Sequence, residues 1–273
     1  MKFILIIFLT AISFSAMSKR ITSSIHSVEV SNNVKEPHLI MLNSGEVIFL
    51  SGNKKNWISA FEESLSQGEV LEIEVDKKNH FLGVNTIKSQ VVDDDHVENW
   101  GQLSYEPTEI PYLSDAKSIF YRMRRDYQYY SQCYNRAHIW AYEEFKNSGL
   151  KSKKYFMFFT RSYIRRYNYK WWFHVAPAVS VKGMEDRILD RRFTRSHLSI
   201  NNWTNKFIYS RRKCPIVQSY SDYRDNQLTE DCYLIPVSMY FWQPRDIQNR
   251  DRTGYEKTSF INSEVNHAYW EAF

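Results

Sequence analysis

Apolar and polar positions set out two different halves of this chain. From residue 20 to about 100 the runs are short and strand-like. His26-Ser27-Val28-Glu29-Val30 and Val70-Leu71-Glu72-Ile73-Glu74-Val75 alternate with the period of two expected of half-buried strands. Leu39-Ile40-Met41-Leu42 and Glu46-Val47-Ile48-Phe49-Leu50 flank Asn43-Ser44-Gly45, which predicts a hairpin. Residues 57–65 read as a short helix between these strands, and Asp93-Asp94-Asp95 as a solvated turn. Tyr105-Glu106-Pro107-Thr108-Glu109-Ile110-Pro111 carries two prolines in five residues and marks a boundary, with residues 106–112 as linker. Beyond it, Ser114-Asp115 caps a helix running to about Asp126, and a second helix starts near Cys133 and stops at Asn147-Ser148-Gly149. Apolar or alternating runs follow at 155–160, 171–181, 187–189 and 232–241. Helices followed by strands predict an α+β domain over residues 113–250, not a repeating βαβ fold. A small strand-rich domain, residues 19–105, precedes it. The polar residues 251–273 read as a loosely attached tail.

Composition changes this picture little. The 273 residues are 43% hydrophobic and 25% charged, with 8 Gly and 7 Pro, so collagen-like and linker-dominated classes are excluded. The net charge of +5 favours acidic partners only weakly and does not argue for nucleic acid. The N-terminus is more telling. Lys2, an apolar run over 3–12 and small residues at Ala16 and Ser18 form a secretory signal, residues 1–18, with cleavage after Ser18. The run is shorter than the roughly 20 residues of a spanning helix. No Cys follows it, so no lipoprotein anchor is predicted, and export to the periplasm or medium is expected.

Export gives the three cysteines a meaning. Cys214 and Cys232 lie close in a polar stretch and form the natural disulfide, leaving Cys133 as a lone thiol. Its plain reading is a small buried hydrophobe; its chemical reading is a nucleophile. In the first turn of a helix, unsatisfied N–H groups and the helix dipole favour a thiolate, and the same N–H groups suit an oxyanion. His138, five residues on, lies about 140° around such a helix and faces elsewhere. His174, in the run Trp171-Trp172-Phe173-His174-Val175-Ala176, is either a satisfied core histidine or a base. Asp190 ends Ile188-Leu189-Asp190. A turn at Lys182-Gly183-Met184-Glu185 brings it across a hairpin toward His174, though a strand-end carboxylate needs no function.

The combination resembles a family. Cys133-Tyr134-Asn135-Arg136-Ala137-His138 resembles the Cys-Tyr-x-Arg-Ala-His signature of the bacterial protein-glutaminases. His174-Val175-Ala176 resembles the segment of that family's general base, and Ile188-Leu189-Asp190 with Phe193 resembles the segment of its third triad member. Arg191 and Arg192 stand where the family has proline and serine, and the preceding loop is shorter. Trp203, Cys214 and Asp231-Cys232-Tyr233-Leu234 resemble later family positions. The resemblance covers residues 110–240. It implies a papain/transglutaminase-like core and deamidation of protein-bound glutamine. Cys133 would be the nucleophile, His174 the acid–base group and Asp190 its orienting carboxylate, with no cofactor. Family members carry an N-terminal pro-segment over the active site, a role the resemblance offers to residues 19–105.

Two rival readings stand beside this one. A peptidase or a transamidase would use the same thioester chemistry. A binding module would use the basic, aromatic stretch 161–172, which otherwise reads as a hairpin with a solvated basic face. Neither C-x-x-C nor H-E-x-x-H occurs, and no metal is predicted.

Overall fold

A computed structural model describes residues 18–87, 105–227 and 230–273. The signal up to residue 17 and Asp93-Asp94-Asp95 lie outside the described residues. The chain divides into two units. One joins Met1–Ile40 to Ile48–Ser89; the other joins Met41–Val47 to Gln90–Phe273.

The first unit holds β1 (Lys19–Glu29), β2 (His38–Leu42), β3 (Val47–Leu50), α1 (Asn56–Gln67), β4 (Val70–Val75) and β5 (Phe81–Ile87). The sheet order is β3-β2-β1-β4-β5. In β4 the alternation predicted from sequence is realised: Leu71, Ile73 and Val75 are buried and their neighbours half-exposed. β1 and β4 pair antiparallel, Ile21 opposite Ile73. α1 packs on β1, buries Phe61 against Phe81 of β5, and ends at Gly68 in the left-handed conformation. The turn between β2 and β3 belongs to the second unit, where Leu42 N–H donates to Glu46 O and Gly45 N–H to Leu42 O.

The second unit begins with β6 (Glu109–Ile110), α2 (Leu113–Arg122), α3 (Cys133–Ser148), β7 (Lys153–Phe159), α4 (Arg161–Tyr167) and β8 (Phe173–Val181). It continues with β9 (Arg187–Ile188), β10 (Leu198–Ser199), α5 (Ile200–Thr204), α6 (Tyr220–Asp225), β11 (Cys232–Ser238), α7 (Pro244–Thr253) and α8 (Asn262–Ala272). The sheet order is β10-β9-β8-β7-β11, with β6 alongside β8. The two central strands, β7 and β8, are buried almost throughout and read as continuous apolar runs for that reason. α3 packs on β8 and is covered in turn by α8.

Four expectations from sequence are corrected. The stretch 106–112 is not a free linker: it contains β6, and Lys182 N–H donates to Ile110 O. α2 stops at Arg122 rather than near Asp126, because the chain turns extended at Met123 and Asp126 pairs with Arg124 instead (2.7 Å). Residues 161–167 form a helix, not a hairpin. Thr160 caps it by accepting from Tyr163 N–H, and Tyr163 and Ile164 turn inward. Residues 251–273 are not loosely attached either. α8 buries Val265, Ala268 and Ala272, and Lys257 pairs with Glu264 in a buried contact of 2.6 Å. The polar letters misled because the apolar stripe of α8 is narrow and its charges are spent internally.

Cys214 and Cys232 form the expected disulfide, 18 residues apart. A closed loop of that size stabilises a fold by about 3 kcal/mol. Replacing both cysteines by serine should lower the urea-unfolding free energy by roughly that amount. An unchanged transition midpoint would show that the bridge contributes nothing.

Candidate active site

Cys133 opens α3. Gln132 before it is extended (φ −76°, ψ 151°), so the Cys133 N–H lies in the first turn, where the helix offers no acceptor of its own. The approach is fixed from inside the helix. Ser131 N–H and Oγ–H both donate to Gln128 O, at 3.1 and 2.7 Å. The buried Arg136 guanidinium donates to Ser131 O and to its Oγ. Cys133 itself is half-buried and unbridged.

His174 and Asp190 are both about 2% exposed. The hairpin of β8 and β9 pairs Ala178 with Ile188, and its turn puts Gly183 at φ +70°. Asp190 follows β9 directly. Its carbonyl is pinned by Phe193 N–H, Thr194 N–H and Thr194 Oγ–H. Its carboxylate meets His174 Nε2 at 2.7 Å and accepts from Trp203 Nε1–H at 2.9 Å. With Nε2 so engaged, Nδ1 is the ring nitrogen left for Cys133, which acts on His174 closely enough to help raise its pKa. The imidazole sits in an aromatic box: Phe207 at 4.4 Å, Phe193 at 5.1 Å, Trp203 at 5.8 Å and Trp171 at 6.3 Å between centroids. Burial by itself pushes the His174 pKa down. The charge and hydrogen bond of Asp190, with the contact to Cys133, outweigh it and raise the value to about 9.

His138 faces away, as helical geometry predicts. It is fully buried, 2.8 Å from the Nζ of buried Lys154, and burial with that neighbouring charge holds its pKa well below the usual histidine range. The structure thus brings Cys133, His174 and Asp190 together and leaves His138 out. Sequence reasoning did not find the contributions of Trp171, Phe207 and Arg136. Their only signal was the density of aromatics around His174 and the three-residue step from Cys133 to Arg136. Among the described residues no three His, Cys, Asp or Glu side chains gather as a metal site requires.

Because the folded-state value of His174 exceeds the unfolded value of about 6.5, its protonation stabilises the fold fully below that pH. The contribution fades as pH rises through about 9. A shift of that size corresponds to roughly 3 kcal/mol. Wild type should therefore lose about that much more stability than His174→Gln between about pH 6 and about pH 10, measured by urea unfolding. Parallel losses in the two proteins would contradict the buried ion pair.

Residues 112–207 match the sequence model of a family described as glutaminase. No curated protein matches the chain. The crystal structure of pro-protein-glutaminase is similar, with TM-score 0.51 and 14% identity over 91% of this chain and 90% of its own. A mutant of pro-protein-glutaminase gives TM-score 0.50 and 14% identity over 82% and 84%. At such identity the likeness is one of fold, an α+β architecture with antiparallel sheets. Cys133, His174 and Asp190 all fall inside the span 112–207 that matches the glutaminase family's sequence model.

Proposed function

We propose that this protein is an exported amidohydrolase that deamidates glutamine side chains in proteins through a Cys133–His174–Asp190 triad. The observation that carries the reading is the buried His174 ring. It is bonded through one nitrogen to Asp190, and a cysteine at a helix start acts on it electrostatically.

The chemistry follows from those positions. Cys133 thiolate attacks the carboxamide carbon, forming a C–S bond and an oxyanion. The Cys133 backbone N–H, in the unpaired first turn of α3, is suited to hold that oxyanion. His174, kept protonated by Asp190, gives its proton to the nitrogen, and ammonia leaves a thioester. Water then attacks the thioester while His174 takes its proton. The products are a glutamate side chain and the free cysteine. Asp190, fixed by Trp203, holds the imidazole in one orientation and balances its cation. A nucleophile-bearing helix on an antiparallel sheet is the papain/transglutaminase-like arrangement. Export agrees with the Cys214–Cys232 bridge. No helix among the described residues is long and apolar enough to cross a membrane. The rings of 161–172 are largely spent in packing: Tyr163, Tyr169 and Trp172 are buried, which disfavours a nucleic-acid stripe.

The turn 41–47 supports an inhibitory role for the N-terminal region. Trp172 N–H donates to Gly45 O, Trp172 Nε1–H to Leu42 O, and Val47 N–H to Lys170 O. Glu46 bridges to Trp171, the residue stacked on His174. A peptide strand thus already lies along the run that leads into the site. The similarity to pro-protein-glutaminase, a pro-form by name, covers 91% of this chain.

Ammonia release from an unfolded, glutamine-rich protein should fall at least about 1,000-fold in Cys133→Ala. Peptide-bond cleavage without ammonia would move the assignment to a peptidase. Gly45 has φ +96°, and a Cβ there would lie 3.2 Å from Phe173. Gly45→Val should dislodge the turn and raise ammonia release by the intact chain about fivefold or more. No gain, with the fold intact, would remove the inhibitory role.

A further inference from the structure

Arginines cluster around the end of α2 and the segment after Asp190, and the protein neutralises only some of them. Arg122 pairs with Glu144, Arg124 with Asp126 and Glu143, and Arg187 with Glu185. Arg125, Arg191 and Arg192 are their neighbours, and among the described residues none of the three makes an ion pair. Like charges kept close without counterions repel, so the arrangement carries a cost. The guanidinium of Arg191 lies 4.6 Å from the Phe120 ring and 5.2 Å from that of Tyr121, and its Nε and Nη1 find no acceptor. Burial and the charge of Arg125 both bear on it, lowering its pKa. Arg192 lies over the Tyr129 ring at 5.3 Å and donates to Tyr129 O at 3.2 Å.

Aromatic surface accompanies this charge. Tyr129 is 88% exposed, Tyr130 73% and Phe193 39%. The tyrosines precede Cys133 by four and three residues, and the Phe193 ring is 5.1 Å from that of His174. Exposed rings beside unpaired arginines are the composition of a recognition surface. The nearest exposed carboxylate in this segment, Asp126, is already held by two nitrogens of Arg124.

We propose that this lip, Arg125, Tyr129, Tyr130, Arg192 and Phe193, binds acidic residues flanking the target glutamine of a protein substrate. The proposal rests on the deamidase reading of the same site and adds the substrate class. Carboxylates of the bound chain pair with the exposed guanidinium groups of Arg125 and Arg192, and the rings hold the backbone between them.

The test uses the full chain, before and after limited proteolysis, and three peptides of equal length. Each has a central glutamine, flanked on both sides by glutamate, serine or lysine. At low salt kcat/KM for ammonia release should be about tenfold higher with glutamate than with serine, and lowest with lysine, the difference residing in KM. Raising salt from about 0.05 to about 0.5 M should shrink the range. Arg125→Glu with Arg192→Glu should reverse the order. Arg125→Glu alone, at an exposed position, should narrow it without loss of fold, judged by thermal melting. Equal kcat/KM for the three peptides, or an order untouched by charge reversal, would overturn the acidic preference and leave the deamidase reading standing. Ammonia from none of the peptides, in either form of the chain, would overturn both.

Discussion

An imidazole and a carboxylate meet at 2.7 Å with almost no water around either. Alone in such a place, either charge would be expensive. Together, with the Trp203 N–H as a second donor to the carboxylate, they are tolerable, and the ring stays protonated to about pH 9. The pair ties β8 to the turn after β9 and to α5. It therefore demands that the sheet keep its register. Met157 stands opposite His174, and a slip of one residue would turn the imidazole to the other face. The long apolar runs of β7 and β8 hold that register by burial.

The cysteine side of the site depends on α3, and α3 is held at several points. Trp242 Nε1–H donates to Asn135 Oδ1 at 2.9 Å, and the same side chain bonds Glu271 of α8. Lys154 Nζ joins His138 to Phe241 O across the far face. Arg136 reaches back to Ser131 and fixes the turn that leads into Cys133. A cysteine half-open to solvent thus stands on a helix whose other sides are buried. That combination gives the site a fixed base and an accessible edge.

Much of the site was legible in the sequence because its members sit in strong local signals. Gly149 stops α3, Gly183 turns the β8–β9 hairpin, and the 171–176 run marks a buried strand with one titratable residue in it. The resemblance around Cys133, His174 and Asp190 supplied the roles proposed for them. What failed to show were the partners at long range. Trp203 reaches Asp190 from 13 positions away and Phe207 reaches His174 from some thirty, and no local pattern encodes that. The helical form of 161–167 was missed because its basic and aromatic letters fit a strand equally well. The hydroxyl of Thr160 and the left-handed Asn168 decide for a helix.

By itself the sequence determined the helix start at Cys133, the β8–β9 hairpin, the disulfide partners and the α+β order, since these follow from period, turn residues and capping. Only the tertiary structure decided which nitrogen of His174 faces Asp190, what closes around the ring, and that α8 braces α3. It also decided that the turn 41–47 belongs beside Trp171 and Trp172. Those outcomes depend on packing between segments far apart in the chain. Burial and the pairing of charges select them there, and neither can be read from neighbouring letters.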